Sequence, residues 1–193
     1  RNPRDGYARA AYKSTVNDVR SYKRLKMFIH AESVAGQSTV VDGDLSAFIR
    51  MGTDYQDNYY EYQVPLKITQ PGTRDENLIW PQENEVDLEF ALLQRAKLAR
   101  NEAIKAGTLS GFNIPYTYSD GVYSVVIKGQ PDLSKLRVIM LGARNPLAGS
   151  SGRPDDGLDK SVEIWFNELR LTDFGEKGGW AATARMNAKL ADF

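Results

Sequence analysis

The sequence predicts a mainly β fold, an antiparallel β-sandwich with one inserted α-helix. Short runs with apolar residues at alternate positions recur along the chain, as expected of strands with one face in a core. One central stretch switches to helical spacing and the pattern then returns to period two. Strands and helices do not alternate, so a parallel βαβ architecture is disfavoured.

Residues 1–20 are polar, carry Arg1, Arg4, Arg9 and Arg20, and read as a lead-in outside the core. The sandwich is expected over 21–175. In Leu25–Ala31 the residues Leu25, Met27, Ile29 and Ala31 share a face. Val34–Asp44, rich in Gly, Ser and Asp, reads as a loop. Ala47–Met51 and Tyr59–Val64 follow as strands, the second limited by Pro65 to an edge or an irregular end. Glu85–Ala106 is the helix, with Leu92, Leu93, Ala96, Ala99 and Ala103 at helical spacing. Asn84 is its expected N-cap, Asp87 sits three residues on, and Gly107 is its stop. Lys97, Arg100 and Lys105 complement its negative end.

A loop through Tyr118–Gly121 leads to strands Val122–Lys128, Arg137–Leu141 and Val162–Leu171. The last has Ile164 and Phe166 on one face and Trp165, Leu169 and Leu171 on the other. Apolar residues on both faces predict burial of Ile164, Trp165 and Phe166 together. Truncating Trp165 to Ala is then expected to cost about 3–5 kcal/mol.

The charge balance narrows function. Lys+Arg and Asp+Glu both number 25, which removes the electrostatic case for nucleic acid as a partner. With no Cys there is no disulfide, thiol chemistry or Cys-based zinc site. No apolar run reaches the length of a membrane helix. Arg1 opens a polar stretch with no initiating Met and no apolar leader, so the chain is expected to be a mature fragment or an excised piece.

Few constellations point to chemistry. His30 is the only histidine and lies within a strand, where it reads as structural. Asp54 and Asp57, and the group Asp155, Asp156 and Asp159, offer oxygen ligands of the kind calcium takes. Neither group follows the twelve-residue calcium loop, and Asp is common in turns for its bonds to nearby backbone. No cofactor, catalytic residue or metal site is expected. Tyr55, Tyr59, Tyr60 and Tyr62 form an aromatic group that suits either inner-face packing or stacking on a partner or glycan.

The C-terminal residues 176–193 have a different character. From Ala182 to Leu190 the chain alternates without a break, between Trp180 and Phe193. About ten such residues with an aromatic at each end fit a transmembrane β-strand as well as a soluble edge strand. As a barrel strand it turns Ala184, Met186 and Ala188 to lipid and Arg185, Asn187 and Lys189 to the lumen. In isolation its Ala-rich face buries little area, so it is expected to fray, to pair with another chain or to pair with the domain's own edge.

Two segments, NDVRSYKRLKMFIHAE (Asn17–Glu32) and VEIWFNELRLTDFGEKGGWAATARMNAKLADF (Val162–Phe193), resemble the SprA/Sov family. AFIRMGTDYQDNYYEYQVPL and IWPQENEVDLEFALLQ resemble it in the same order. These are giant outer-membrane proteins of Bacteroidetes gliding motility and type IX secretion. The resemblance implies a non-enzymatic domain inserted between strands of an export barrel, shaping or capping the pore. It implies secreted cargo proteins and accessory subunits as partners, and outer-membrane lipid at the C-terminal strand. Barrels carry their longer insertions outside, so the extracellular side is expected. The β-rich segments are also similar to jelly-roll modules of the galactose-binding type, and a carbohydrate-binding module is the alternative.

Overall fold

The computed structural model describes residues 3–36, 40–149, 156–175 and 188–189. The strands are β1 (Ala8–Asn17), β2 (Tyr22–Ser33), β3 (Ser46–Gly52), β4 (Tyr59–Pro65), β5 (Val86–Glu89), β6 (Tyr116–Asp120), β7 (Tyr123–Lys128), β8 (Leu136–Arg144), β9 (Val162–Phe174) and β10 (Ala188–Lys189). The helices are α1 (Glu76–Ile79) and α2 (Phe90–Lys105). Pairing is antiparallel throughout both sheets. A six-stranded sheet runs β1-β8-β3-β4-β7-β6, and a four-stranded one runs β10-β9-β2-β5. The mainly β sandwich read from the sequence is the fold.

One core joins the sheets. Leu25, Met27, Ile29 and Ala31 of β2 meet Ala47, Ile49 and Met51 of β3, Tyr60, Tyr62 and Val64 of β4, and Val125 and Ile127 of β7. Alternation puts these residues on the inner faces. α2 adds Phe90, Leu92, Leu93 and Ala96 and contacts β7, β6, β2 and β5.

The expected helix is shorter than its pattern. Val86 and Leu88 are buried at strand spacing in β5, opposite Met27 and Leu25, while Asp87 and Glu89 face Lys26 and Arg24. Cross-strand ion pairs and burial therefore override helical propensity, and α2 starts at Phe90. Asn84 is no N-cap. It is buried, accepts the backbone N–H of Lys67 at 2.7 Å and donates to the Lys67 carbonyl at 2.9 Å. The C-terminal stop holds. Gly107 adopts φ +72°, its N–H reaches the Ile104 carbonyl and Thr108 N–H reaches that of Ala103, a Schellman closure.

Three further differences are physical. The lead-in contains β1, which pairs with β8 from Ala8↔Arg144 to Ser14↔Val138. Its side chains are mostly exposed, which is why hydropathy did not mark it as a strand. The expected loop before Gly121 includes β6, hairpinned to β7. In β9 a bulge breaks the parity. Phe28 pairs with Asn167 and Lys26 with Arg170, so β9 carries one extra residue, and Glu168 has φ 55°. Leu169 and Leu171 thereby join Ile164 and Phe166 on the core side. Trp165 stays on the outer face at 41% exposure, against the expectation of burial.

Candidate functional site

The outer face of the six-stranded sheet carries the most organised polar cluster. The register seats Arg50 between Met140 and Glu61, and Phe48 between Gly142 and Gln63. Glu61 points away from the core yet is only 1% exposed. Its Oε2 accepts from Arg50 Nε at 2.8 Å and Nη2 at 2.6 Å. Its Oε1 accepts from Gln63 Nε2 at 2.6 Å and Arg144 Nη2 at 3.1 Å. The guanidinium of Arg50 lies 3.9 Å from the Tyr59 ring centroid, and that of Arg144 lies 5.4 Å from the Phe48 ring centroid. Two cations thus share one anion while stacking over aromatic rings, a charge-assisted network that fixes geometry more than it adds stability. A Cβ on Gly142 would come within 2.5 Å of both Phe48 Cζ and the Arg9 carbonyl, so only glycine fits there.

The four tyrosines separate. Tyr60 and Tyr62 lie in the core, and burial pushes the Tyr60 phenol up to about 12 and raises that of Tyr62 as well. Neither presents a ring face to a sugar. Tyr59 lies on the outer face under Arg50, and the Tyr55 carbonyl accepts from Arg50 Nη1 at 2.5 Å. The Tyr55 ring sits 5.3 Å from that of exposed Tyr12.

The aspartates serve the fold. Asp54 Oδ1 accepts from the backbone N–H groups of Gln56, Asp57 and Asn58, and Oδ2 accepts from Asn58 Nδ2. Burial opposes its charge, but these bonds win and hold its carboxyl at about 2. Asp57 pairs with Lys128 at 2.9 Å. Asp156 and Asp44 each hold buried Lys160 at 2.8 Å, so an ammonium occupies the place a cation would take. Among the described residues, no group of three or more His or acidic side chains is arranged for a metal. Asp155 lies outside them.

His30 is buried on the outer side of the four-stranded sheet. Its Nδ1 is 2.7 Å from the Ile79 carbonyl, its Nε2 is 3.4 Å from Glu32, and its ring lies 5.7 Å from Trp80 and 6.0 Å from Trp165. Trp165 Nε1 donates to Glu163 at 2.7 Å. The imidazole therefore anchors α1 to β2. Of the expected lipid-facing residues, Ala184 and Met186 lie outside the described residues. Ala188 pairs through its backbone with Phe166, and Lys189 with Trp165.

The whole chain has a family counterpart. The sequence profile of the SprA_N family, described as motility related/secretion protein, matches residues 2–193. The chain belongs to this family. The match takes in β1, the Arg50–Glu61–Arg144 cluster and the alternating C-terminal residues of the SprA_N chain alike. No curated protein matches it. A secretion-related family is consistent with a membrane-associated location. Among the described residues no helix is long and apolar enough to cross a membrane, which leaves crossing by strands open.

Two buried arrangements escape sequence reading. Arg144 reaches Glu61 from 83 residues away. Arg100, read as a complement to the negative helix end, is buried. It donates to the Gly129 carbonyl and Asn101 Oδ1 over the Phe112 ring, and desolvation lowers its pKa. Its place at the spacing Leu93–Ala96–Arg100 was the one available signal.

Proposed function

We propose that this chain is a non-enzymatic structural domain of an outer-membrane protein-export channel of the type IX secretion system of Bacteroidetes. It shapes or caps the pore and contacts secreted cargo or accessory subunits. The family match over residues 2–193, with its motility and secretion description, is the observation that carries this reading. The side chains that elsewhere serve catalysis support it by what they do here. His30 tethers α1, Glu61 locks two arginines and Lys160 joins two loops. The alternation of 182–190 supports a strand of the barrel wall beyond the sandwich, and the length of the sandwich supports the extracellular side. A glycan-binding role loses its expected platform, because Tyr60 and Tyr62 lie in the core.

The test is made in the full-length protein. Residues 8–175 are replaced by a short Gly-Ser linker, and outer-membrane insertion and cargo export are measured separately. The expected result is a barrel that still inserts but exports poorly. Unchanged export would remove the proposed role. A protease site placed in the segment between β8 and β9 reports the side, with cleavage in intact cells expected.

A further inference from the structure

β1 hangs off the sandwich. Its sheet has six strands where the facing sheet has four, and along Ala8–Val16 only Ala11 and Thr15 are even partly covered. The strand is held by its seven successive pairings with β8, and its side chains bury little. From Ala8 to Ser14 no described strand lies on its other side. Such an edge offers backbone groups to an incoming strand, and Ala8, Ala10 and Ala11 leave the approach open.

The charge at this edge is one-sided. In a chain with 25 cations and 25 anions, β1, β3 and β8 carry Arg9, Lys13, Arg50, Arg137 and Arg144 and no acidic residue. Arg50 and Arg144 are committed to Glu61 on the outer face. Arg9 and Lys13 share the other face, opposite Ala143 and Ile139. Among the described residues neither of these two cations has an ion pair. Arg9 and Lys13 are four strand residues apart, about 13 Å. Carboxylates at matching alternate positions of an added strand would meet both.

We infer that the edge of β1 accepts an extended acidic segment of a partner protein as a further strand, with its carboxylates facing Arg9 and Lys13. Main-chain bonds along Ala8–Ser14 supply the pairing, and the two cations select the charge. The inference goes beyond the export role, because it names the chemistry of one contact and is tested without measuring secretion.

The test titrates the 193-residue chain with fluorescein-labelled decapeptides. One alternates Thr and Glu, one alternates Thr and Lys, and one keeps the Glu residues but replaces every Thr with Pro. The Thr-Glu peptide is expected to bind saturably and at least tenfold more tightly than the other two, and to slow amide exchange within Ala8–Ser14. The exposed double variant Arg9→Glu/Lys13→Glu should unfold at an unchanged midpoint, bind Thr-Glu at least tenfold more weakly and prefer Thr-Lys. Equal binding of the Pro-Glu peptide would reduce the contact to charge alone and overturn strand addition. Absence of saturable Thr-Glu binding would overturn the inference outright.

Discussion

Glu61, Asp54 and Trp165 show how a side chain's worth follows from what surrounds it. Glu61→Gln keeps the shape of the side chain but leaves Arg50 and Arg144 without their anion. Removing one partner of a buried pair costs about 3–5 kcal/mol. Here the guanidinium side chains remain 18% and 34% exposed, so the expected loss is about 2–3 kcal/mol, read by urea unfolding. Asp54→Ala removes a turn cap and should cost about 1–2 kcal/mol at pH 7. The Asp54 carboxyl is held at about 2, below its ordinary value, so its contribution is complete above the unfolded carboxylate range. The gap between wild type and Asp54→Ala should therefore narrow as pH falls from about 5 toward 2. A constant gap would show that the charge is irrelevant. For Trp165→Ala, the exposure of the ring lowers the expected cost to about 1–2 kcal/mol. A loss above about 3 kcal/mol would restore the burial inferred from the strand pattern.

At the scale of elements, the β9 bulge is the decisive local feature. By turning Glu168 through φ 55°, β9 brings Leu169 and Leu171 to the core and leaves Trp165 outside. A left-handed conformation costs a non-glycine residue about 1–2 kcal/mol, and Glu168→Gly relieves that at some cost in chain entropy. The variant should gain about 0.5–1 kcal/mol with Trp165 fluorescence unchanged. Destabilisation would mean that the Glu168 side chain matters more than its backbone. The start of α2 teaches a related lesson. Val86, Leu88, Leu92 and Leu93 satisfy a helical and a strand pattern in turn, and the pairing of β5 with β2 selects between them.

The molecule as a whole has one core. Leu93 is fully buried on α2, where the helix meets the strands, and the same cluster includes residues of both sheets. Leu93→Ala should cost about 2–5 kcal/mol and lower the unfolding midpoint equally for probes in either sheet. Two separated transitions would divide the sandwich into independent parts.

The sequence by itself determined the fold class, the β2, β3, β4, β7, β8 and β9 strands and the glycine stop of α2, because hydrophobic period and capping are local properties. It also carried the family, since segments along the whole chain keep its residues. Only the tertiary structure decided which residues of β9 face inward, since one extra residue inverts every later side chain. Only the structure revealed β1, which gains its pairing from a strand more than a hundred residues away while burying almost nothing. The Glu61 cluster belongs to the same class. Arg50 lies 11 residues from Glu61 and Arg144 lies 83, and what unites them is a sheet register that no local pattern encodes.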